Sequence, residues 1–218
     1  HMLSRSMSMK QLLKVLMVLV FTWASTTFAE NLVEGKDYKV IRSDGDRGDV
    51  VQVYEFFNYA CGHCYEFQPL IESWAQNPPK GVQFNYMPAV FNERMIPLAK
   101  LYFTLEEMQL LKTVHQEVYD AIHRKGVNLM TDKKILKWID SNDRVDNESF
   151  NKLYKSFGID AKVKKAVQLT RSYRVPGTPY VTVKGKYITG PSMALRSDGS
   201  GVDAVRFIAI LNTLVAKD

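Results

Sequence analysis

The sequence predicts an α/β fold: a sheet domain whose chain is interrupted by an all-helical insertion. Three observations carry this. A nearly continuous apolar run at 50–57 is followed by a helical stretch and an alternating strand at 82–86; the hydrophobic period then changes from two to about 3.6 and stays there for about 80 residues; and strand-like runs return after Arg171. With 218 residues, 46% hydrophobic and 24% charged, the chain is long enough to bury a core and too apolar to be disordered throughout.

Two cysteines are too few for a multi-bridge framework, so any role they have is local. The formal charge of +6 invites an anionic partner, but three of the 29 Lys+Arg, namely Arg5, Lys10 and Lys14, belong to the leader described next. Without them 26 basic residues face 23 acidic ones, a balance of +3 that is too small to argue for nucleic acid.

Residues 1–29 read as a cloning scar (His1-Met2, with Met2, Met7 and Met9 as alternative starts) and a secretory signal peptide. From Lys10 the chain has a basic end, an apolar run at 12–24, and Thr27-Phe28-Ala29 with small residues at the first and third positions, so cleavage is expected after Ala29. The run is short of the roughly 20 residues that span a bilayer. The mature chain, 30–218, is therefore expected outside the cytosol, without stable membrane insertion, where disulfides persist.

Along the mature chain, 38–41 is a short strand and 50–57 a strand covered on both faces. Asn58-Tyr59-Ala60 leads into Cys61-Gly62-His63-Cys64 and a helix to about Ala75, with Pro69 predicted to kink it. Asn77-Pro78-Pro79-Lys80-Gly81 breaks the chain before the strand at 82–86, which closes a parallel strand-helix-strand unit. Leu98, Leu101, Leu105, Met108, Leu111, His115, Val118 and Ile122 then fall at steps of three and four, predicting one long helix that ends at Gly126. Thr131 is expected to cap a helix carrying Ile135 and Ile139, another spans 147–157, and Asp160 is expected to cap a last one with Val163, Ala166, Val167 and Thr170 inward. This helical block is expected to hold a core of its own. A hairpin about Lys184-Gly185 and an amphipathic helix at 202–215 complete the chain. The expected division is 30–91 plus 172–218 for the sheet domain and 92–171 for the insertion.

The chemistry sits at Cys61 and Cys64, three apart at a helix start, with both sulfurs on one face and within disulfide reach. In the first turn the helix N–H groups and dipole favour a thiolate, so Cys61 is expected to have a lowered pKa, with Cys64 as its shielded partner. His63 adds to this if it is cationic or donates to the sulfur, and Gly62 lets a partner's backbone approach. Each pKa unit by which Cys61 falls below ambient pH stabilises the reduced pair by about 1.4 kcal/mol and raises its potential by about 30 mV, so a strongly lowered value marks an oxidant. Plainer alternatives stand beside this: a structural disulfide, which stabilises little across so small a loop, or half of a zinc site completed by His115 and His123 on the insertion. His115 lies on the apolar stripe and reads as a core histidine. His63 reads equally as an exposed first-turn side chain. Glu55, six residues before Cys61 in an apolar strand, is either a buried proton carrier for Cys64 or an outward-facing carboxylate. Thr178-Pro179, after Gly177 and before a strand, is a place where a cis bond is tolerated, although the residues alone favour trans.

The segments EFFNYACGHCYEFQP and YRVPGTPYVTVKGKY, on either side of a helical insertion, resemble the DsbA-type periplasmic thiol:disulfide oxidoreductases of the thioredoxin superfamily over essentially the whole mature chain. The resemblance implies a thioredoxin fold with an inserted helical domain. It implies Cys61 as the nucleophile of a mixed disulfide, Cys64 as the buried resolving thiol, His63 as thiolate stabiliser, Pro179 as a cis-proline opposite the pair, and Thr178 as a backbone partner for extended substrate. Glu55 matches the family's buried acid, without an identifiable companion lysine. It further implies no metal and no cofactor beyond the Cys61-Cys64 disulfide, cysteines of newly exported unfolded proteins as substrates, a membrane-bound DsbB-like reoxidising partner, and a periplasmic location. Gly62 and Thr178 depart from the Pro and Val of the best-known oxidases and are found in isomerase-type and reducing members, so an isomerase or reductase is the alternative. Only residues 30–36 precede the first strand, too few for the dimerisation domain of DsbC-type isomerases, which points to a monomer. A chaperone-like peptide binder and a metal carrier are the remaining readings.

Overall fold

Period-two and apolar segments collect into one five-stranded sheet built from β1 (Lys39–Val40), β2 (Val51–Phe57), β3 (Val82–Pro88), β4 (Tyr180–Val183) and β5 (Tyr187–Thr189), in the order β1-β5-β4-β2-β3. The computed structural model describes residues 31–42, 45 and 48–217, so the scar and signal-peptide expectations for 1–29 lie outside it. Helix α1 (Gly62–Gln76) crosses from β2 to β3, which pair in parallel as the spacing predicts; β4 runs antiparallel to β2, and β5 to β4. Lys184 and Gly185 both have positive φ, 56° and 57°, in the three-residue connection between the paired Val183 and Tyr187, where the Lys186 N–H returns to the Val183 carbonyl at 3.0 Å. Helix α1 runs unbroken through Pro69.

Five helices separate β3 from β4: α2 (Ile96–Glu107), α3 (Leu111–His123), α4 (Asp132–Asp140), α5 (Asn147–Tyr154) and α6 (Phe157–Ser172). The single long helix expected across 98–122 is two. Gln109 takes φ 59°, and the N–H groups of Gln109 and Leu110 turn back to the carbonyls of Glu106 and Leu105, a left-handed helix stop that glycine usually fills. The apolar spacing carries across the break because α2 and α3 bury residues in the same cluster. Thr131 caps α4 as expected, but α6 begins at Ser156, whose hydroxyl accepts the Ile159 N–H, so Asp160 lies inside the helix rather than at its start. After β5, Asp203 caps α7 (Ala204–Ala216).

Two buried clusters flank the sheet. On one face Val53, Val181 and Val183 meet Phe67, Ile71 and Trp74 of α1 and Phe207, Ile210 and Leu214 of α7. The other cluster runs from Phe56, Phe57 and Met87 of the sheet through Leu101, Tyr102 and Val118 to Ile135, Ile139 and Phe150. The insertion therefore does not enclose a core of its own. Helical periodicity says which residues turn inward but not what they meet, and here they meet the sheet.

Candidate active site

The strand end that delivers the cysteines is shaped by Asn58. Its Oδ1 accepts the Ala60 N–H at 2.8 Å and its carbonyl accepts the Cys61 N–H at 3.0 Å, a compact turn of the kind asparagine favours. Cys61 thereby arrives with extended backbone (φ −89°, ψ 116°) as the N-cap of α1, one residue ahead of the first turn where the sequence placed it. Cys64 is fully buried and Cys61 partly so, and the two thiols are unbridged, so the geometry is that of the dithiol.

The Thr178-Pro179 bond is cis, which overturns the trans expectation drawn from the residues alone and agrees with the family resemblance. This loop meets the cysteines: the Cys61 thiol donates to the Thr178 carbonyl at 3.4 Å. Gly190 lies beneath it, where a Cβ would stand 3.1 Å from the Pro179 carbonyl and 3.2 Å from the Tyr180 ring. Nothing in the sequence singled out Gly190. By contrast, a Cβ on Gly62 meets nothing within 4 Å, so the backbone there is open to an approaching chain.

The two sulfurs have opposed electrostatics. The Cys61 pKa is held down to about 5: the Cys64 thiol donates to the sulfur, partial burial opposes this, and the Thr178 side chain and the backbone N–H groups of Cys64 and His63 add to the lowering. Burial, reinforced by Cys61, pushes the Cys64 thiol far up. The structure thus brings the His63 N–H to the site, while its imidazole is exposed. Glu55, between Tyr86 of β3 and Val181 of β4, is wholly buried, and neither carboxylate oxygen has a hydrogen-bond partner among the described residues. Burial, and secondarily the Cys61 charge, raises its pKa to about 8, and its own charge helps to raise that of Cys64. The outward-facing alternative for Glu55 is excluded.

Histidines 115 and 123 are engaged elsewhere. His115 is buried, its pKa pushed down to about 3 by burial, with Nδ1 2.7 Å from the Tyr59 hydroxyl; His123 Nε2 donates to the Tyr59 carbonyl at 2.8 Å. Among the described residues, no three His, Cys, Asp or Glu side chains converge in a way that could hold a metal. What the arrangement can do is thiol-disulfide exchange: an accessible, acidic thiol, a shielded, basic one, and a carboxyl beside them that can hold a proton near neutral pH.

Residues 52–198 match the family model described as DSBA-like thioredoxin domain. The thiol:disulfide interchange protein DsbA of Burkholderia cepacia is 32% identical over 161 residues, covering 72% of this chain and 76% of that protein. The protein of the same name from Pseudomonas aeruginosa is 34% identical over 161 residues, covering 73% and 76%. The crystal structure of Pseudomonas aeruginosa DsbA superposes with a TM-score of 0.76 at 30% identity, covering 85% of this chain and 94% of that one.

Proposed function

Since the chain belongs to the DSBA-like thioredoxin domain family and is a disulfide-forming thiol:disulfide oxidoreductase, we propose that Cys61 is its nucleophilic sulfur, Cys64 its resolving thiol and Glu55 the proton carrier between Cys64 and its surroundings. The observation that carries the assignment is the opposed electrostatics of the two sulfurs. A substrate thiolate attacks the Cys61 sulfur of the Cys61-Cys64 disulfide; the new S–S bond forms as the old one breaks, and Cys64 leaves with the electron pair. Buried and basic, that thiolate takes the proton held by Glu55. A second substrate thiolate then attacks the first substrate sulfur and expels Cys61 as a stabilised thiolate, leaving an oxidised substrate and a reduced pair.

Thr178 and cis-Pro179 offer backbone to an extended substrate segment, Gly62 leaves its approach open, and His63 stabilises the Cys61 thiolate. The substrates are cysteines of newly exported, unfolded proteins, and a membrane-bound DsbB-like partner restores the disulfide. The pair itself carries the electrons, with no other cofactor in the scheme. A periplasmic monomer suits this chemistry; among the described residues no helix is long and apolar enough to cross a membrane. The isomerase or reductase alternative raised by Gly62 and Thr178 is not favoured by the relatives.

The test is the reduction potential of the 30–218 chain in glutathione buffers, with Cys61 ionisation followed by thiolate absorbance. A thiolate midpoint near 5 raises the potential at pH 7 by roughly 60 mV over a pair with an unperturbed thiol. Expected is a potential above about −200 mV, with disulfide donation abolished in C61S. A midpoint near 7 with a potential below that value, or a C61S protein that still oxidises substrate, overturns the assignment.

A further inference from the structure

One helix of the insertion grips the chain on both sides of the cysteine pair. His115, Tyr119 and His123 recur at steps of four on α3 and so form one stripe. Both ends of Tyr59, two residues before Cys61, are engaged by this stripe. His115 Nδ1 shares a hydrogen bond with the Tyr59 hydroxyl, and the Tyr119 ring lies 5.0 Å from the Tyr59 ring at 72°. His123 Nε2 meets the Tyr59 carbonyl at 2.8 Å, a contact that places its proton on Nε2, because a carbonyl only accepts. On the far side of the pair, the His123 ring stacks on Tyr65 at 5.0 Å and 14°, and the Tyr65 hydroxyl donates to Asp120 at 3.1 Å.

The segment so held is the Asn58 turn, whose geometry delivers Cys61 as the N-cap of α1. A shift of this turn moves the Cys61 sulfur relative to Thr178 and to the helix N–H groups. Hydrogen bonding weakens steeply with distance and angle, so a displacement of a few tenths of an ångström is chemically significant.

We propose that His123, with His115, is a positioning residue of the redox pair, acting through Tyr59 to hold residues 58–61 so that the Cys61 sulfur stays against Thr178 and the start of α1. The helical insertion thereby tunes the thiol rather than only flanking it. The catalytic meaning of this rests on Cys61 being the nucleophile, but the test reads the sulfur itself and so fails or succeeds apart from any substrate assay.

The experiment compares H123L, which keeps bulk and removes the donor, with H123Q, whose amide can reach the Tyr59 carbonyl. The reduced 30–218 chain is titrated by thiolate absorbance, with far-ultraviolet circular dichroism confirming the fold. Glu55, Cys64 and Tyr119 interact with the Cys61 charge, and Tyr65, stacked on His123, interacts with Asp120 and Arg124; all remain unchanged in both variants. Expected is a Cys61 midpoint raised by about one unit in H123L, a tenfold loss of thiolate at fixed acidic pH, and one close to wild type in H123Q. Because Gln is neutral, recovery in H123Q assigns the effect to the donated hydrogen bond rather than to a histidine charge. An unmoved midpoint in H123L, or equal shifts in both variants, overturns the proposal. If H123L does not fold, H123N replaces it: its shorter amide falls short of the carbonyl, so a shift in H123N without one in H123Q supports the proposal, and equal midpoints overturn it.

Discussion

Asp37 and Glu55 are both carboxylates removed from water, and they behave in opposite ways. Asp37, at 3% exposure, accepts the Val33 N–H at 2.9 Å and pairs with Arg206 at the start of α7. Burial pushes its carboxyl up, but the Val33 N–H and the Arg206 guanidinium outweigh that and hold it below its ordinary value. Glu55, at 0% exposure, has neither kind of partner among the described residues, and burial raises it to about 8. Depth alone therefore does not decide what a carboxylate does. Pairing makes Asp37 a staple between the N-terminal segment and the last helix, and its lack leaves Glu55 able to exchange a proton near neutral pH.

The contrast is broken most strongly at Glu55. A carboxyl with a raised folded pKa contributes stability that is present below its unfolded value, near 4.5, and lost as pH rises through about 8. In E55Q that loss disappears. Urea unfolding of oxidised wild type and E55Q, where burial alone acts on Glu55 and no Cys61 thiolate titrates, is expected to show wild type falling by up to about 3 kcal/mol relative to the variant between pH 5 and pH 9. Parallel pH profiles would show that Glu55 finds a partner.

R206A breaks the other side. Removing the guanidinium leaves a buried carboxylate short of its countercharge, at a cost of about 3 kcal/mol at pH 7, or roughly 6–12 °C in Tm. Its pH dependence is expected to weaken. Wild-type Asp37, with its depressed pKa, contributes stability that is lost as pH falls through the folded value; in R206A the Val33 N–H and Lys36 oppose burial without the guanidinium, so less stability is lost on acidification. A calorimetric series from pH 3 to pH 8 reads both.

The smallest effect sharpens the comparison from the opposite direction. Tyr86 stands opposite Glu55 in the β2-β3 register, partly exposed, with its hydroxyl accepting from Gln68 at 3.2 Å. Y86K sets an ammonium group where it can face Glu55, and is expected to lower the Glu55 pKa by about one to two units and to flatten the pH profile part of the way toward E55Q. Unchanged titration in Y86K would mean that the lysine turns outward.

What was legible in the sequence is what residue type and short spacing determine. Cys61 and Cys64, the carboxylate in an apolar strand, the Lys184-Gly185 turn and the Thr131 cap all follow from local chemistry. Less visible were stops made without glycine: Gln109, and Arg174 at φ 50°, end helices in a left-handed conformation that neither side chain advertises. Contacts between distant segments were hidden as well. His115 and His123 announced only a shared helix face, while their common target, Tyr59, lies 56 and 64 residues away along the chain. The Asp37–Arg206 pair spans 169 residues, a separation at which sequence pattern gives no register.

The hydrogen bond from Cys61 to Thr178 closes a span of 117 residues, and β4, which runs beside β2, is also encoded after the insertion. A ribosome delivers the cysteines well before it delivers the loop that conditions them. Until β4 takes its place, β2 has one edge without its antiparallel neighbour, and Cys61 lacks one of the groups that makes it acidic. The four-residue motif is thus an early part of the chain with a late-acquired chemistry: its reactivity belongs to the finished topology, and a nascent enzyme does not yet carry the thiol that the completed one presents.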